Sequence, residues 1–295
     1  MEHSHNHSHE HSHSVEITKR NKNVFLVGIG LNMAFVLAEA IAGFIYNSMA
    51  LLTDAGHNLS DVATLLISMV AFWLARRQSD STYTYGFKKT TVLTALANSV
   101  ILFIAVGVLG FESVRRLFNP QVVSGDVIAW VAGVGILING FSAFLFFRQK
   151  HELNSRAAYL HLLADALVSV GVVVAGIIIS YTHLYWIDAA LGIVIMIVIL
   201  VSTWGLLKDS FKMTIDAVPA GIKLERIKEI IAQVPHVIRV EHVHVWALST
   251  TENALTAHVA LDELLSFDKK LEVIGAIKHE LEHYGIHHST IELAR

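Results

Sequence analysis

Residues 48–74 read SMALLTDAGHNLSDVATLLISMVAFWL, a mostly apolar run that contains two carboxylates and one imidazole. About 20 consecutive, mostly apolar residues are enough to cross the hydrocarbon core of a bilayer as a helix. Asp54, His57 and Asp61 lie within the run. Ionisable side chains in a membrane span are costly and usually functional. The stretch therefore predicts a membrane-spanning helix that carries a functional site.

Five other stretches are also long and apolar enough to span a membrane. Hydrophobic residues make up 54% of the 295-residue chain and charged residues only 16%, well below the roughly 25% charged residues of soluble domains. The N-terminus is polar and rich in histidine, so we expect no secretory signal peptide and a retained first span. The sequence predicts six spans, at approximately 24–46, 48–74, 91–114, 127–147, 155–181 and 187–207.

The orientation of the spans is predicted from the Lys and Arg residues that flank them, which concentrate on the cytoplasmic side. With the N-terminus inside, the outer ends carry only Arg115 and Arg116. The inner ends carry twelve basic residues: Lys19, Arg20, Lys22, Arg76, Arg77, Lys88, Lys89, Arg148, Lys150, Arg156, Lys208 and Lys212. The chain is therefore expected in the inner (plasma) membrane as a multi-pass protein, with both termini in the cytoplasm.

The C-terminal part has the mixed polar and apolar pattern of a soluble domain. Its periodicity predicts helix, strand, strand, helix and strand at residues 222–234, 237–248, 254–261, 268–284 and 286–293. That order is a truncated ferredoxin-like α+β fold. The predicted organisation is a disordered tail (1–22), a transmembrane transport domain (23–207) and a cytoplasmic domain (208–295), which we call the tail domain.

Two pairs with the pattern H-x-x-x-D, His57/Asp61 and His161/Asp165, lie in the second and fifth predicted spans. Residues i and i+4 share one face of a helix, and the antiparallel spans place Asp61 and Asp165 about 15–20 Å from their inner ends. Two imidazole nitrogens and two carboxylate oxygens match a tetrahedral Zn²⁺ site that would also accept Cd²⁺ or Co²⁺. The chain has no cysteine, so a thiolate site is excluded.

A buried metal site that opens to each side in turn predicts a transporter. Because metal binding needs neutral imidazole and ionised carboxylate, protons compete with the metal for the same side chains. The sequence has no G-x-x-x-x-G-K-[ST] motif for ATP, so we expect proton antiport, with no organic cofactor. It has no basic block for nucleic acid.

The other polar residues of the spans are ambiguous from the sequence. Asp54 either belongs to the transport pathway or caps a helix. We expect four isolated polar residues to form hydrogen bonds between helices: Asn32, Glu39, Asn98 and Asn139.

Two alternative functions use the same four side chains. The first is a membrane metal sensor or structural protein, in which the site joins helices without transport. The second is an intramembrane metallohydrolase, which would need an open coordination position; four protein ligands leave none, and no HEXXH motif is present. Metal uptake into inverted vesicles distinguishes the transporter from the sensor.

Five segments resemble the cation diffusion facilitators, a family of metal/proton antiporters with six spans and a cytoplasmic ferredoxin-like domain. The resemblance covers nearly the whole chain. The sequence is most similar in type to the bacterial members that handle zinc, cadmium and cobalt. It depends on the segments SMALLTDAGHNLSD (48–61), YGFKK (85–89), HLLAD (161–165), KDSFKMTIDAVP (208–219) and VEHVHVW (240–246).

The resemblance implies that His57, Asp61, His161 and Asp165 form the transport site. It also implies a homodimer with apposed tail domains, and a charge interlock between Lys89 and Asp216. Some members hold a second metal in the loop between spans two and three. Here residues 78–84 offer only Asp80 and no histidine, so we expect that site to be absent.

Histidines outside the membrane suggest further metal binding. Six of the 18 histidines lie in the first thirteen residues; this segment either collects zinc or merely increases solubility. In the tail domain, His242 and His244 share a strand face, with His258 nearby. By family analogy, a regulatory Zn²⁺ would lie at the dimer interface. The candidate ligands are Glu241, His242, His258 and Glu292; the alternative is an ordinary polar surface.

Overall fold

The computed structural model describes residues 19–147 and 153–294 of the chain. Most of the histidine-rich tail, together with Arg148 and Lys150, lies outside the described residues. Asp61 and His161 lie in described helices, but their side chains are outside the description.

In the described ranges, six helices precede the tail domain: α1 (Lys19–Ile45), α2 (Met49–Ala75), α3 (Thr90–Phe118), α4 (Gly125–Phe147), α5 (Leu153–Thr182) and α6 (Trp186–Thr214). Five of them, α2 to α6, contain segments long and apolar enough to cross a membrane. Within the part of α1 whose side chains the structure describes, the apolar segment is Asn32–Ile45. Helix α6 continues past residue 207, so the boundary predicted at residue 208 falls inside a helix. Lys208, Asp209 and Lys212 form its polar end, and a polar end does not stop a helix.

Large apolar side chains cover the outside of the helix bundle. Phe44, Phe111 and Trp130 are each more than 70% exposed. A soluble protein rarely exposes contiguous apolar patches of this kind. Lipid would cover these side chains, as the sequence predicts.

Small residues allow the closest helix contacts. A Cβ atom added to Gly176 of α5 would lie 2.7 Å from the backbone nitrogen of Ala129 and 2.8 Å from the carbonyl oxygen of Gly125, both in α4. Such close backbone approach at small residues is characteristic of membrane helices. In α3, a Cβ atom on Gly110 would clash with Met196 of α6. Helices α4 and α5 therefore form one tight pair, and α3 and α6 another.

Asp188, in the first turn of α6, binds the beginning of α2. Its carboxylate accepts hydrogen bonds from the Ser48 hydroxyl (2.6 Å) and from the backbone nitrogens of Met49 (2.6 Å) and Ala50 (3.3 Å). The carboxylate is buried and satisfies N–H groups that the helix leaves unpaired at its N-terminus. Asp188 is not among the residues predicted from the sequence, although an acid in the first turn of an apolar span is a signal that could have identified it.

The tail domain contains α7 (Leu224–Gln233), β1 (Val237–Ala247), β2 (Asn253–Leu261), α8 (Phe267–Glu282) and β3 (Ile286–Ala294). The sheet has the order β1-β2-β3, with β1 and β2 antiparallel and β2 and β3 parallel. Ile227, Ile231, Leu255, Ile277 and Leu281 belong to a single buried core shared by the helices and the sheet. Each element lies within two residues of its predicted bounds.

The tail domain contacts the bundle where α3 begins. Lys88 Nζ lies 2.5 Å from Glu252 Oε2, and the Thr91 hydroxyl accepts a hydrogen bond from the Thr250 backbone nitrogen at 3.1 Å. Both partners belong to the connection between β1 and β2. The start of α3, the end of α6 and the tail domain therefore lie at one end of the bundle, here called the tail end; the opposite end is called the far end.

Candidate metal centre

The structure brings together one residue from each H-x-x-x-D pair. His57 Nε2 of α2 lies 3.8 Å from Asp165 Oδ1 of α5. The two side chains are only 13% and 10% exposed. A nitrogen and a carboxylate oxygen thus face each other between two helices that the chain connects only through α3 and α4.

Asp61 and His161 lie one helical turn from this contact. Helix α2 runs from the far end towards the tail end, so Asp61 is about 6 Å nearer the tail end than His57. Helix α5 runs the opposite way, so His161 is displaced from Asp165 by the same amount in the same direction. We therefore predict two levels in the site, each with one histidine and one aspartate. The first level is His57 with Asp165. The second, Asp61 with His161, is inferred from backbone positions.

The described side chains alone do not form a complete set of metal ligands. Among side chains described in 19–147 and 153–294, no group of three or more His, Asp or Glu residues is arranged to hold a metal ion. Because the Asp61 and His161 side chains are not described, this does not test the four-ligand set. In the loop between α2 and α3, Asp80 Oδ1 accepts hydrogen bonds from the backbone nitrogens of Thr82 (2.8 Å) and Tyr83 (2.6 Å).

Asp54 does not cap α2. The N-cap is Ser48, whose side chain accepts a hydrogen bond from the Leu51 nitrogen. Asp54 is instead buried, 3% exposed, and lies beside Glu39 of α1. The alternative that places Asp54 near the transport pathway therefore remains.

Glu39 differs from the sequence expectation. It is fully buried, yet neither carboxylate oxygen has a hydrogen-bond partner of normal geometry among the described residues. The amide nitrogen of buried Asn139 in α4 also has no such partner there. The expected bonds between helices are thus not formed by these two groups, because polarity in a span does not specify which neighbour a side chain meets.

The tail-domain candidates come together only in part. His258 Nε2 lies 3.5 Å from Glu292 Oε2, and the His242 and His258 rings are 4.9 Å apart. Glu241 is 3.1 Å from Arg239 Nε. The pairing of β1 with β2 is irregular between Glu241 and His244, and His242 has a φ of 48°. The regular alternation on which that prediction depends is interrupted there, and the convergence of His242 with His244 stays a prediction.

Lys89 joins three elements at one ammonium group. Its Nζ lies 2.5 Å from Asp216 Oδ1, 2.9 Å from the Met213 carbonyl oxygen and 3.0 Å from the Ala247 carbonyl oxygen. Met213 lies in α6 and Ala247 ends β1. The pair implied by the resemblance is therefore formed, and the two carbonyl contacts extend it to the tail domain. The neighbouring Lys88–Glu252 contact was not expected from the sequence.

Apolar helices long enough to span a bilayer, with a histidine and an aspartate in contact between two of them, define an integral membrane protein with a soluble C-terminal domain. Comparison with known families gives the narrower assignment. The cation efflux transmembrane domain matches residues 25–213, and the cation efflux protein cytoplasmic domain matches residues 219–294. The chain belongs to the cation efflux family, which confirms the resemblance to the cation diffusion facilitators.

Similar proteins are bacterial metal transporters. The chain is 35% identical over 277 residues to the zinc transporter ZitB of Escherichia coli K12, covering 92% of this chain and 87% of that protein. It is 32% identical over 276 residues to the cadmium, cobalt and zinc/H(+)-K(+) antiporter of Bacillus subtilis 168, covering 92% and 89%. It is also 33% identical over 275 residues to the cation efflux system protein CzcD of Alcaligenes sp. CT14, covering 92% and 86%.

Proposed function

We propose that this protein exports Zn²⁺ from the cytoplasm in exchange for protons, and that it also accepts Cd²⁺ and Co²⁺. The observation that carries the proposal is the His57–Asp165 contact between α2 and α5. The names of the similar proteins, which include zinc, cadmium and cobalt transporters and antiporters, favour the same substrates. A secondary transporter accounts for these features better than an enzyme does.

The four ligands are His57, Asp61, His161 and Asp165. Binding of a divalent ion requires both histidines neutral and both aspartates ionised, so protonation from the more acidic side drives the metal out. Nitrogen ligands favour Zn²⁺, Cd²⁺ and Co²⁺ over Mg²⁺ and Ca²⁺, which prefer oxygen alone. Alternating access then needs α2 and α5 to separate on one side of the site at a time.

The proposed architecture has six spans, α1 to α6, in the inner membrane, with both termini in the cytoplasm. The segment 1–22 is a metal-collecting tail, residues 23–207 form the transport domain, and 208–295 form a ferredoxin-like cytoplasmic domain. The match of that domain to a family described as cytoplasmic supports this side for the C-terminus. The many Lys and Arg residues that flank the spans at the tail end support the same orientation.

The active form is proposed to be a homodimer joined through the tail domains, with a regulatory Zn²⁺ held at their interface. His242, His258 and Glu292 are close together in one chain, but Glu241 contacts Arg239. Since these residues do not complete a metal site within the described chain, ligands from the second copy would be needed. The Lys89–Asp216 interlock would transmit the position of the tail domain to α3 and α6.

Zinc uptake into proteoliposomes or inverted vesicles tests the function. The unmodified chain should accumulate Zn²⁺, and an imposed pH gradient should change the rate. Loss of a residue that only supports a metal ligand costs about 10–100-fold, so Asp165→Ala and His57→Ala should slow uptake by at least that much. Leu163→Ala, on an exposed part of α5, is the control. Uptake that either ligand variant leaves unchanged would refute the site assignment.

A further inference from the structure

Glu39 is a buried carboxylate, and the groups around it do not compensate for its burial. It is fully buried in α1, and neither oxygen accepts a normal hydrogen bond from any residue in the described ranges. No Lys or Arg side chain within those ranges forms an ion pair with it. A buried polar group without partners is rare in native proteins and calls for a specific explanation, such as a bound ion.

The neighbours of Glu39 supply more oxygen ligands. Asp54 and Asn58 of α2 lie near enough to interact with it, and they are 3% and 5% exposed. They are separated by four residues and so share one face of α2. The three side chains together offer carboxylate and amide oxygens and no imidazole.

Other charged groups around this cluster belong to the proposed metal site. Asp54 lies within electrostatic reach of His57 on its own helix and of Asp165 on α5. Helix α4, which packs against α1, carries Asp126 as its only charged residue, in its first turn at the far end. Within the described ranges, the cluster therefore has no basic residue of its own, and it lies next to the proposed metal ligands.

The depth of the cluster places it on the far side of the metal site. Asp54 and Glu39 are each about 8–9 Å along their helices from the far-end termini at Met49 and Ile45. His57 lies about one turn deeper. An ion held by Glu39 and Asp54 would thus lie between the metal site and the far end of the bundle.

We propose that Glu39, Asp54 and Asn58 form a second intramembrane site, which binds the monovalent counter-cation exchanged for the metal. This inference rests on the proposed transport function. Carboxylate and amide oxygens suit a proton or a hard alkali-metal ion, whereas the His–Asp ligands suit a softer divalent ion. The relative from Bacillus subtilis whose name includes both H⁺ and K⁺ fits either occupant.

The second site explains how exchange is enforced. Two carboxylates in a low-dielectric interior repel one another, so a cation between them is favoured. A cation there also repels a divalent ion one helical turn away. Occupancy of the two sites is then mutually unfavourable, which couples arrival of the counter-cation to departure of the metal.

The test compares Glu39→Gln with the unmodified full-length chain in proteoliposomes. Zn²⁺ flux is measured under a pH gradient, under a K⁺ gradient, and with choline replacing K⁺. Asn139→Ala, which removes another buried polar side chain, is the control. In the unmodified chain at least one gradient should accelerate flux, and Glu39→Gln should reduce that acceleration about tenfold or more, a usual size for coupling between sites. Loss of the pH response identifies the proton as occupant, and loss of the K⁺ response identifies an alkali ion.

Equilibrium Zn²⁺ binding in detergent gives a readout that does not require transport. Raising the proton or KCl concentration, with choline chloride keeping ionic strength constant, should weaken Zn²⁺ binding less in Glu39→Gln than in the unmodified chain. Glu39→Asp, which retains the charge, should restore part of the effect. An unmodified chain that binds but does not move zinc contradicts the proposed function only. Gradient and competition responses unchanged in Glu39→Gln, or loss of Zn²⁺ binding itself, would overturn the second site.

Discussion

His57 and Asp165 meet across α2 and α5, with 3.8 Å between the imidazole Nε2 and the carboxylate Oδ1. The contact joins the two predicted motifs at one depth. It also shows how they are paired: the far-end residue of one motif faces the far-end residue of the other. This pairing predicts one nitrogen and one oxygen ligand at each of the two levels, and it leads to the first test.

Replacing the nitrogen ligand should change metal preference. His57→Asp leaves a carboxylate in place of the imidazole, so transport of Zn²⁺ and Cd²⁺ should fall about tenfold or more relative to transport of harder ions such as Mn²⁺. A metal-competition assay in proteoliposomes measures the ratio. Leu163→Ala should leave the ratio unchanged, and the same Zn²⁺/Mn²⁺ ratio in His57→Asp would argue against a ligand at this position.

The α4–α5 contact should tolerate no added methyl group. Gly176→Ala places a Cβ atom against the backbone of Ala129 and Gly125, so we expect a loss of about 1–3 kcal/mol in unfolding free energy. Gly171→Ala in the same helix has nothing within 4 Å of the new atom and is the matched control. Thermal unfolding in detergent compares the two; equal melting temperatures would contradict this packing.

Asp188 should stabilise the bundle. Asp188→Asn keeps the shape but turns one acceptor into a donor facing existing donors, and we expect a loss of about 1–3 kcal/mol. Glu112→Gln is the control, because Glu112 forms ion pairs with Arg115 and Arg116 that solvent screens, so their loss should change stability little. Thermal unfolding in detergent is again the measurement, and a smaller effect at Asp188 than at Glu112 would exclude the proposed importance of this contact.

The two neighbouring lysines should differ. Lys89→Ala removes the donor for two carbonyl groups and the partner of Asp216, whereas Lys88→Ala breaks a half-exposed pair worth at most about 1 kcal/mol. Hydrogen exchange in residues 247–252 should therefore increase more in the Lys89 variant. Zn²⁺ flux should follow the same order. Equal protection in both variants would mean that Lys89 does not hold the tail domain.

A regulatory metal in the tail domain should persist when the transport site is removed. In full-length His57→Ala/Asp165→Ala protein, equilibrium dialysis should detect residual Zn²⁺, and adding His258→Ala should lower the amount bound, leaving the zinc that the histidine-rich segment 1–22 collects. His279→Ala, on the exposed side of α8, should have no effect. An amount of bound zinc that His258→Ala leaves unchanged would contradict a metal site at His258.

Helix positions were accessible from the sequence because hydrophobic length alone identifies a span, and the tail elements because their periodicity is clear. The i, i+4 spacing within His57/Asp61 and within His161/Asp165 predicted the four-ligand site, since helix geometry converts that spacing into a shared face. The end of α6 at Thr214 was missed, because the hydrophobic pattern stops at the membrane surface and the helix does not.

Interactions set by tertiary contacts were not accessible. Nothing local at Asp188 shows that Ser48 and Met49 will lie against it. The irregular pairing near His242 depends on the neighbouring strand, so simple alternation failed there. Glu39 was identified as polar, but only the packing of α1 against α2 shows that its carboxylate accepts no hydrogen bond from the described residues.

The glycine contact between α4 and α5 and the Asp188 contact between α6 and α2 divide the proposed ligands between two helix groups. His57 and Asp61 belong with α6, and His161 and Asp165 belong with α4. Under the proposed assignment the transported ion is itself a cross-link between these groups. The protein with bound metal is then the more rigid form. Without the metal, the two helix groups are held together at the proposed site by contacts between side chains alone. Metal binding would therefore increase the rigidity of the whole helix bundle, including helices that do not touch the metal.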